Sequence, residues 1–333
     1  MDTQKIVTGI VLIIVLVGVY FGLSYLFGKN VRHALVPEVE SGKIYLTLTK
    51  ENSANDRKEI GIYAYDFETG AVEEFFAPSA ATIITGGISS DGSKVVASTN
   101  HYSKDVHYFQ LYTLKDDGKV KRITDSRTIR KREPQWSPNG DKIVFSALDD
   151  VSDHLKLPEL TASGDISSMV YVTDLDGNEV RISDGSHPRF LPSGNQVLIL
   201  KKDGLYVFEA DGSKGKKVWH MNEGNAFFNM HLDLSGVSDM VAWSLFDEGE
   251  ILLIKMESWD PFVGKIVDRI KTHALWPKFS PDGEKLAMIE VDYDWAGWAN
   301  PKLVSFDLKT SEKRFLADLE GFSQFFMTLD SWY

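Results

Sequence analysis

No cysteine occurs among the 333 residues, which excludes disulfides, thiolate metal ligands and cysteine nucleophiles together. That absence is compatible with oxidising and reducing surroundings alike. No Asn-x-Ser/Thr acceptor occurs either, so nothing supports a glycosylated eukaryotic ectodomain. Basic residues are the minority, 36 Lys and Arg against 48 Asp and Glu, for a formal charge of −12. A nucleic-acid partner would need clustered cations, so none is expected. The acidic balance suits a soluble, self-repelling surface. The chain also lacks the Gly-x-Ser-x-Gly turn of a serine hydrolase. No catalytic residue, cofactor or metal is expected from its motifs. His101, Asp105 and His107 match no zinc-ligand spacing. Asp174 to Glu179 lacks the third Asp/Asn of a calcium loop and reads as a hairpin turn.

What is present begins with a hydrophobic run. Residues 6–27, IVTGIVLIIVLVGVYFGLSYLF, carry no charge. A helix of that length rises roughly 33 Å, enough for the hydrocarbon core of a bilayer. A cleaved signal peptide would have an apolar stretch of about 7–15 residues and a small-residue cleavage site, neither of which fits. The expected organisation is a tail (1–5), a transmembrane helix (6–27), a linker (28–41) and a globular domain (42–333). Lys5 before the helix and Lys29 and Arg32 after it give little orientation. The short tail favours a signal-anchor with the large domain outside the cytoplasm.

The remainder is repetitive. GGISSDGSKVVAS (86–98), PQWSPNGDKIVFS (134–146), PRFLPSGNQVLIL (188–200), the degenerate MHLDLSGVSDMVAWS (230–244) and PKFSPDGEKLAMI (277–289) share one plan. Each is a strand, a tight turn and a second apolar strand. Ser-Pro-Asp/Asn-Gly is turn chemistry, because Pro presets φ, Asp or Asn bonds nearby backbone and Gly accepts positive φ. The turn glycines Gly92, Gly140, Gly194, Gly236 and Gly283 are spaced 48, 54, 42 and 47 residues apart. Alternating strands follow most turns. A period near 48 is the length of a four-stranded propeller blade. Residues 42–333 then hold six blades. The predicted fold is all-β, a six-bladed β-propeller of four-stranded blades. Its ends share one blade, with residues 322–333 as the inner strand closing against 42–76.

The Pro-x-Trp/Phe-Ser-Pro-Asp/Asn-Gly-x-x-Ile/Leu segments at 134–143 and 277–286 resemble the repeats of TolB-like propellers. The same repeat occurs in the propeller domains of prolyl-oligopeptidase-type peptidases. The resemblance spans everything after the hydrophobic run, and it implies inner strands along a central channel. The residue before each Pro-x-Phe/Trp motif is then near the channel mouth. Aligned repeats place Thr85, Glu133, His187, Asn229, Trp276 and Gln324 there, a polar ring suited to ligand binding.

Three further features remain. Trp295 and Trp298, in a Gly- and Pro-containing loop, are candidates for partner binding. The insertion at 149–168 lengthens the second repeat, and Arg127, Arg130, Lys131 and Arg132 read as a solvated basic loop between blades. Propellers host binding and catalytic functions alike. The expectation is a non-catalytic, membrane-anchored scaffold of the cell envelope for a protein or peptide partner. The alternatives are a receptor for a small ligand or glycan in the channel, and a channel-sited hydrolase or lyase using Glu133 and His187.

Overall fold

The computed structural model describes residues 42–52, 57–76, 83–89, 93–99, 109–114, 120–125, 129–148, 168–201, 203–220, 230–294, 297–320, 322 and 328–332. The hydrophobic run at 6–27, the linker 28–41, the insertion up to residue 167 and the His101–Asp105–His107 group lie outside them. The described chain forms 24 strands in six four-stranded antiparallel sheets. Blade 2 runs through β4 (Ile83–Ile88), β5 (Val95–Thr99), β6 (Gln110–Leu114) and β7 (Val120–Arg122). Blade 3 runs through β8 (Ile129–Trp136), β9 (Lys142–Leu148), β10 (Ser168–Asp174) and β11 (Glu179–Asp184). Blade 4 has β12 (Ser186–Phe190), β13 (Gln196–Lys201), β14 (Gly204–Glu209) and β15 (Gly215–His220). Blade 5 has β16 (Met230–Ser235), β17 (Met240–Leu245), β18 (Glu250–Trp259) and β19 (Phe262–Lys271). Blade 6 has β20 (Ala274–Phe279), β21 (Lys285–Asp294), β22 (Gly297–Asp307) and β23 (Lys313–Asp318).

Blade 1 is the composite one. Its order is β24-β1-β2-β3, in which β24 (Thr328–Trp332) comes from the chain's last residues. Strands β1 (Lys43–Asn52), β2 (Arg57–Asp66) and β3 (Ala71–Phe76) come from the domain's first. The register sets Ile44 against Trp332 and Thr47 against Thr328. First strands touch in a closed cycle, β24 to β4, β8, β12, β16, β20 and back to β24. The six-bladed, end-closed architecture expected from the period is the one observed.

The turn chemistry behaves as its residues dictate. Gly140, Gly194 and Gly283 take φ of 65°, 73° and 71°. Each donates its amide to the carbonyl three residues back, at 2.8 Å. Ser137 and Ser280 cap their turns, accepting the amides of Lys142 and Lys285 at 3.0 and 2.9 Å. Blade 5 departs from this pattern. There the left-handed residue is Asp239 (φ 49°) rather than Gly236, so the degenerate repeat turns later than its glycine suggests. Asp174 closes the β10–β11 hairpin by accepting the amides of Asp176 and Asn178, both at 2.9 Å, as a turn should.

The second strands are the most buried. Val96, Ile143, Val144, Phe145, Val197, Leu198, Val241, Ala242, Leu286 and Ala287 are fully enclosed. Side chains of neighbouring blades interdigitate there, as in the cluster joining Leu198 and Leu205 of blade 4 to Val241 and Trp243 of blade 5. Blades 2 and 3 approach tightly at Gly87, where an added Cβ would stand 2.3 Å from the Pro134 carbonyl oxygen. Replacing Gly87 by Ala should therefore cost about 1–3 kcal/mol by overpacking. A urea titration monitored by far-ultraviolet dichroism checks this.

Lys131 corrects the reading of residues 127–132 as a solvated loop. It lies on β8 and is 0% exposed. Its ammonium sits 5.7 Å from the Phe145 ring centroid and 3.9 Å from Glu179 Oε1. Burial pushes Lys131 down to about 8, partly opposed by Glu179. The sign follows from linkage: the unfolded chain holds this proton to about pH 10.4, and the folded one gives it up earlier. Stability should therefore gain a contribution as pH rises from about 8 to about 10. Urea midpoints across that range should show it, and Lys131→Met should remove it.

Candidate functional site

Three of the residues that precede a motif proline share an uncommon backbone. Glu133, His187 and Trp276 have φ of 52°, 50° and 51°, each directly before Pro134, Pro188 or Pro277. Left-handed backbone at a bulky residue costs about 1–3 kcal/mol and persists only where its surroundings impose it. Here the imposition is a bulge. The ladder shifts register between Arg132 and Gln135, between Ser186 and Arg189, and between Leu275 and Lys278. A bulge re-aims the side chain it carries. The repeat thus turns one residue per inner strand out of the alternation at equivalent points of β8, β12 and β20.

The result is a connected arc across blades 3 to 6. Glu133 Oε1 lies 3.1 Å from His187 Nε2, and Glu133 Oε2 accepts the His187 amide at 2.9 Å. Ser146 Oγ donates to Glu133 Oε2 at 3.4 Å, and His187 Nδ1 stands 3.0 Å from Ser186 Oγ. The His187 ring meets His231 edge-on at 4.9 Å between centroids. His231 in turn meets Trp276 at 4.7 Å. The polar members are substantially buried, His187 and His231 being 9% and 7% exposed.

Electrostatics assigns the protons. Burial raises the Glu133 carboxyl, but His187, Arg189, the His187 amide and Arg132 outweigh it and hold the group below its ordinary value. Burial lowers His187, Glu133 partly opposes this, and Arg189 adds to it. The pair is therefore a carboxylate and a neutral imidazole. His187 Nε2–H donates to Glu133, and Nδ1 accepts from Ser186. His231 is held well below its ordinary value, first by burial and then by His187, Arg189 and Lys278.

A second tier lies two residues further along the inner strands, level in register: Gly87, Gln135, Arg189, Asp233 and Lys278. Asp233 bridges it. This carboxylate accepts from Lys278 Nζ at 3.2 Å and from the Phe279 amide at 3.1 Å, and it lies 3.9 Å from Arg189 Nε. In the register Ser235 stands where Ser137 and Ser280 cap their turns, and it accepts the Ser238 amide at 3.1 Å. Through Asp233 blade 5 is bridged to blade 6. Arg189 Nε and His231 Nδ1 are buried and have no hydrogen-bond partner among the described residues.

The sequence-derived ring is thus partly assembled. Glu133, His187 and Trp276 converge, while Thr85 lies on β4, its side chain outside the described atoms. Asn229, Gln324 and Trp295 lie outside the described residues, as does the side chain of Trp298 on β22. Sequence reasoning missed Arg189, His231, Asp233 and Lys278. The available signal was that the repeat tolerates Gly and Gln at a position where three adjacent blades carry the charged residues Arg, Asp and Lys. Among the described residues no three His, Asp or Glu side chains converge to hold a metal.

The fold defines a six-bladed propeller with TolB-like architecture. It is similar to TolB from Acinetobacter baumannii, with a TM-score of 0.58, 15% identity, and coverage of 89% of this chain and 68% of that one. A propeller in a nidogen/laminin complex gives 0.56 at 11% identity, covering 87% and 97%. An oligogalacturonate lyase from Vibrio parahaemolyticus gives 0.53 at 12% identity, covering 83% and 79%. No family model and no curated protein matches the sequence.

Proposed function

We propose that the chain is a non-catalytic binding propeller, held at a membrane of the cell envelope by residues 6–27, that engages a protein or peptide partner at the channel mouth. The observation that carries this reading is the arc Glu133–His187–His231–Trp276. It is a continuous polar and aromatic surface drawn from four blades, and strained backbone aims three of its members. Buried aromatic and charged anchors beside fixed polar groups are how interfaces concentrate their energy. The uncharged run at 6–27 supports the anchor. The likeness to a TolB and to a propeller of a nidogen/laminin complex supports partner binding. The absence of a catalytic motif in the sequence supports a non-enzymatic role.

The experiment is affinity capture from cross-linked, detergent-solubilised membranes with the full chain and its Trp276→Ala variant. Both proteins should fold, since Trp276 is only half-buried. A partner retained by the wild type and reduced at least tenfold by the variant supports the reading. An unchanged partner set sinks it. A second reading, a channel-sited hydrolase or lyase, is favoured by one observation, the hydrogen-bonded relay Ser186–His187–Glu133. Turnover of a sugar-acid or lactone panel, abolished by His187→Gln, would favour it over the first.

A further inference from the structure

We propose that β19, the outer strand of blade 5, is a dimerisation edge at which two copies of this chain pair antiparallel about a two-fold axis. The inference concerns the rim of the propeller and is independent of the channel mouth.

Length and exposure mark this strand. β19 has 10 residues, whereas the outer strands β3, β11, β15 and β23 have 6 each and β7 has 3. An outer strand leaves one row of backbone amides and carbonyls unpaired within its sheet, and shortness is a usual protection against strand addition. β19 lacks that protection. It also carries Val263, Ile266 and Val267, which are 43%, 37% and 49% exposed. Among the described residues no other outer strand carries more than one large exposed apolar side chain. An apolar stretch on a long free edge is a template for another strand.

The charges of β19 say which strand. Within the hairpin Lys265 pairs with Lys255 and Asp268 pairs with Leu253, while Val267 is the extra residue of a bulge. Lys255 and Leu253 are two apart on β18, and paired residues point to the same side of a sheet. Lys265 and Asp268 therefore share a face, which residues three apart on a regular strand would not. A bulge ordinarily blunts an edge. Here it sets both signs of charge on one face of that edge.

Two antiparallel copies centred on Ile266 and Val267 oppose Lys265 of each to Asp268 of the other. In the same register Ile266 meets Val267, Gly264 meets Arg269 and Phe262 meets Lys271. No like charges are opposed, and opposite charges directly across a strand pair are stabilising. Two-fold symmetry makes each of these contacts twice. The remaining cations of the strand are engaged at home, Arg269 and Lys271 lying 2.5 and 2.7 Å from Glu250. Lys265 reaches only the exposed Glu257 among the described residues, at 3.5 Å, and Asp268 has no ion pair among them. A pair as exposed as Lys265–Glu257 costs little to exchange.

The test uses the full chain in detergent, with its oligomeric state read by sedimentation equilibrium over a concentration series. The wild type should show a reversible monomer–dimer equilibrium. Lys265→Glu opposes two acids at each pair and should weaken dimerisation at least tenfold. Lys265→Asp combined with Asp268→Lys in one chain should restore it, an outcome that a misfolded variant would not give. Val267→Lys should leave a monomer. Because the chain has no cysteine, oxidising a mixture of Lys265→Cys and Asp268→Cys chains should yield a disulfide-linked heterodimer. A wild type that stays monomeric at every concentration would overturn the proposal. So would a dimer indifferent to Lys265→Glu, which would place the contact elsewhere, residues 6–27 included.

Discussion

Deleting residues 322–333 should abolish cooperative folding of the propeller. Strand β24 is the inner strand of blade 1 and also the link in the cycle between β20 and β4. Its loss strips β1 of its partner along Ile44 to Thr47 and opens the ring at one point. Ile44 and Leu46, fully buried in the intact chain, sit on that uncovered strand. Several backbone hydrogen bonds at about 1 kcal/mol each, together with lost apolar burial, approach the 5–15 kcal/mol that stabilises a typical domain. The exposed edge would also invite pairing with another chain. Thermal unfolding followed by near-ultraviolet dichroism should show a sharp transition in the intact chain and none in the truncated one. Survival of that transition would mean the terminal strand decorates the ring without closing it.

The second large effect concerns Glu133. Its carboxylate serves the amide and ring of His187, and it lies within the field of Arg189. Glu133→Ala removes that acceptor from a buried imidazole and from a buried amide. Each buried donor left without an acceptor costs about 1–3 kcal/mol. Glu133→Gln keeps the shape and one acceptor and should cost less than half as much. The pH dependence has a defined sign. A carboxyl held below its unfolded value contributes stability above about pH 4.3, lost as pH falls through the folded value. His187 and His231, also depressed, add a loss that begins higher. The unfolded chain takes up their protons near pH 6.5 while the folded chain resists. Stability should therefore fall from pH 7 towards pH 5, and then more steeply below pH 4.3 in the wild type than in Glu133→Gln. His231→Gln should flatten the upper limb. Guanidinium midpoints at half-unit intervals would show each slope.

The architecture was legible because the repeat carries its own turn chemistry. Pro138, Asn139 and Gly140 can make little other than a tight turn, and the same set recurs at Pro281, Asp282 and Gly283. The spacing of those glycines counts strands without any knowledge of their packing. The shared blade followed from half-motifs at the two ends, a strand without a return at 322–333 and a return without a strand at Ser41 to Ile44.

The site was legible only in part. Aligning the residue before each proline found Glu133, His187 and Trp276, because every repeat has that position. The alignment could not reveal that a bulge gives these residues positive φ, since register shifts depend on partner strands. Nor could it reveal Asp233 beside Lys278, because aligning the degenerate repeat of blade 5 set it two residues out of register. Lys131 was misread because charge in a sequence suggests solvent. Its burial rests on the aromatic face of Phe145 and the approach of Glu179, neither adjacent in the chain.

The central claim is that the arc on the inner strands of blades 3 to 6 is where a partner binds. The most direct measurement places a photo-cross-linking phenylalanine analogue at position 276 in the full chain, expressed in its native host. A parallel chain carries it at Phe75, an exposed residue of the outer strand of blade 1. Irradiation should give one discrete adduct from position 276 and none from position 75, and His187→Ala should suppress it. Adducts from position 75 alone would contradict the assignment and move the partner to the rim.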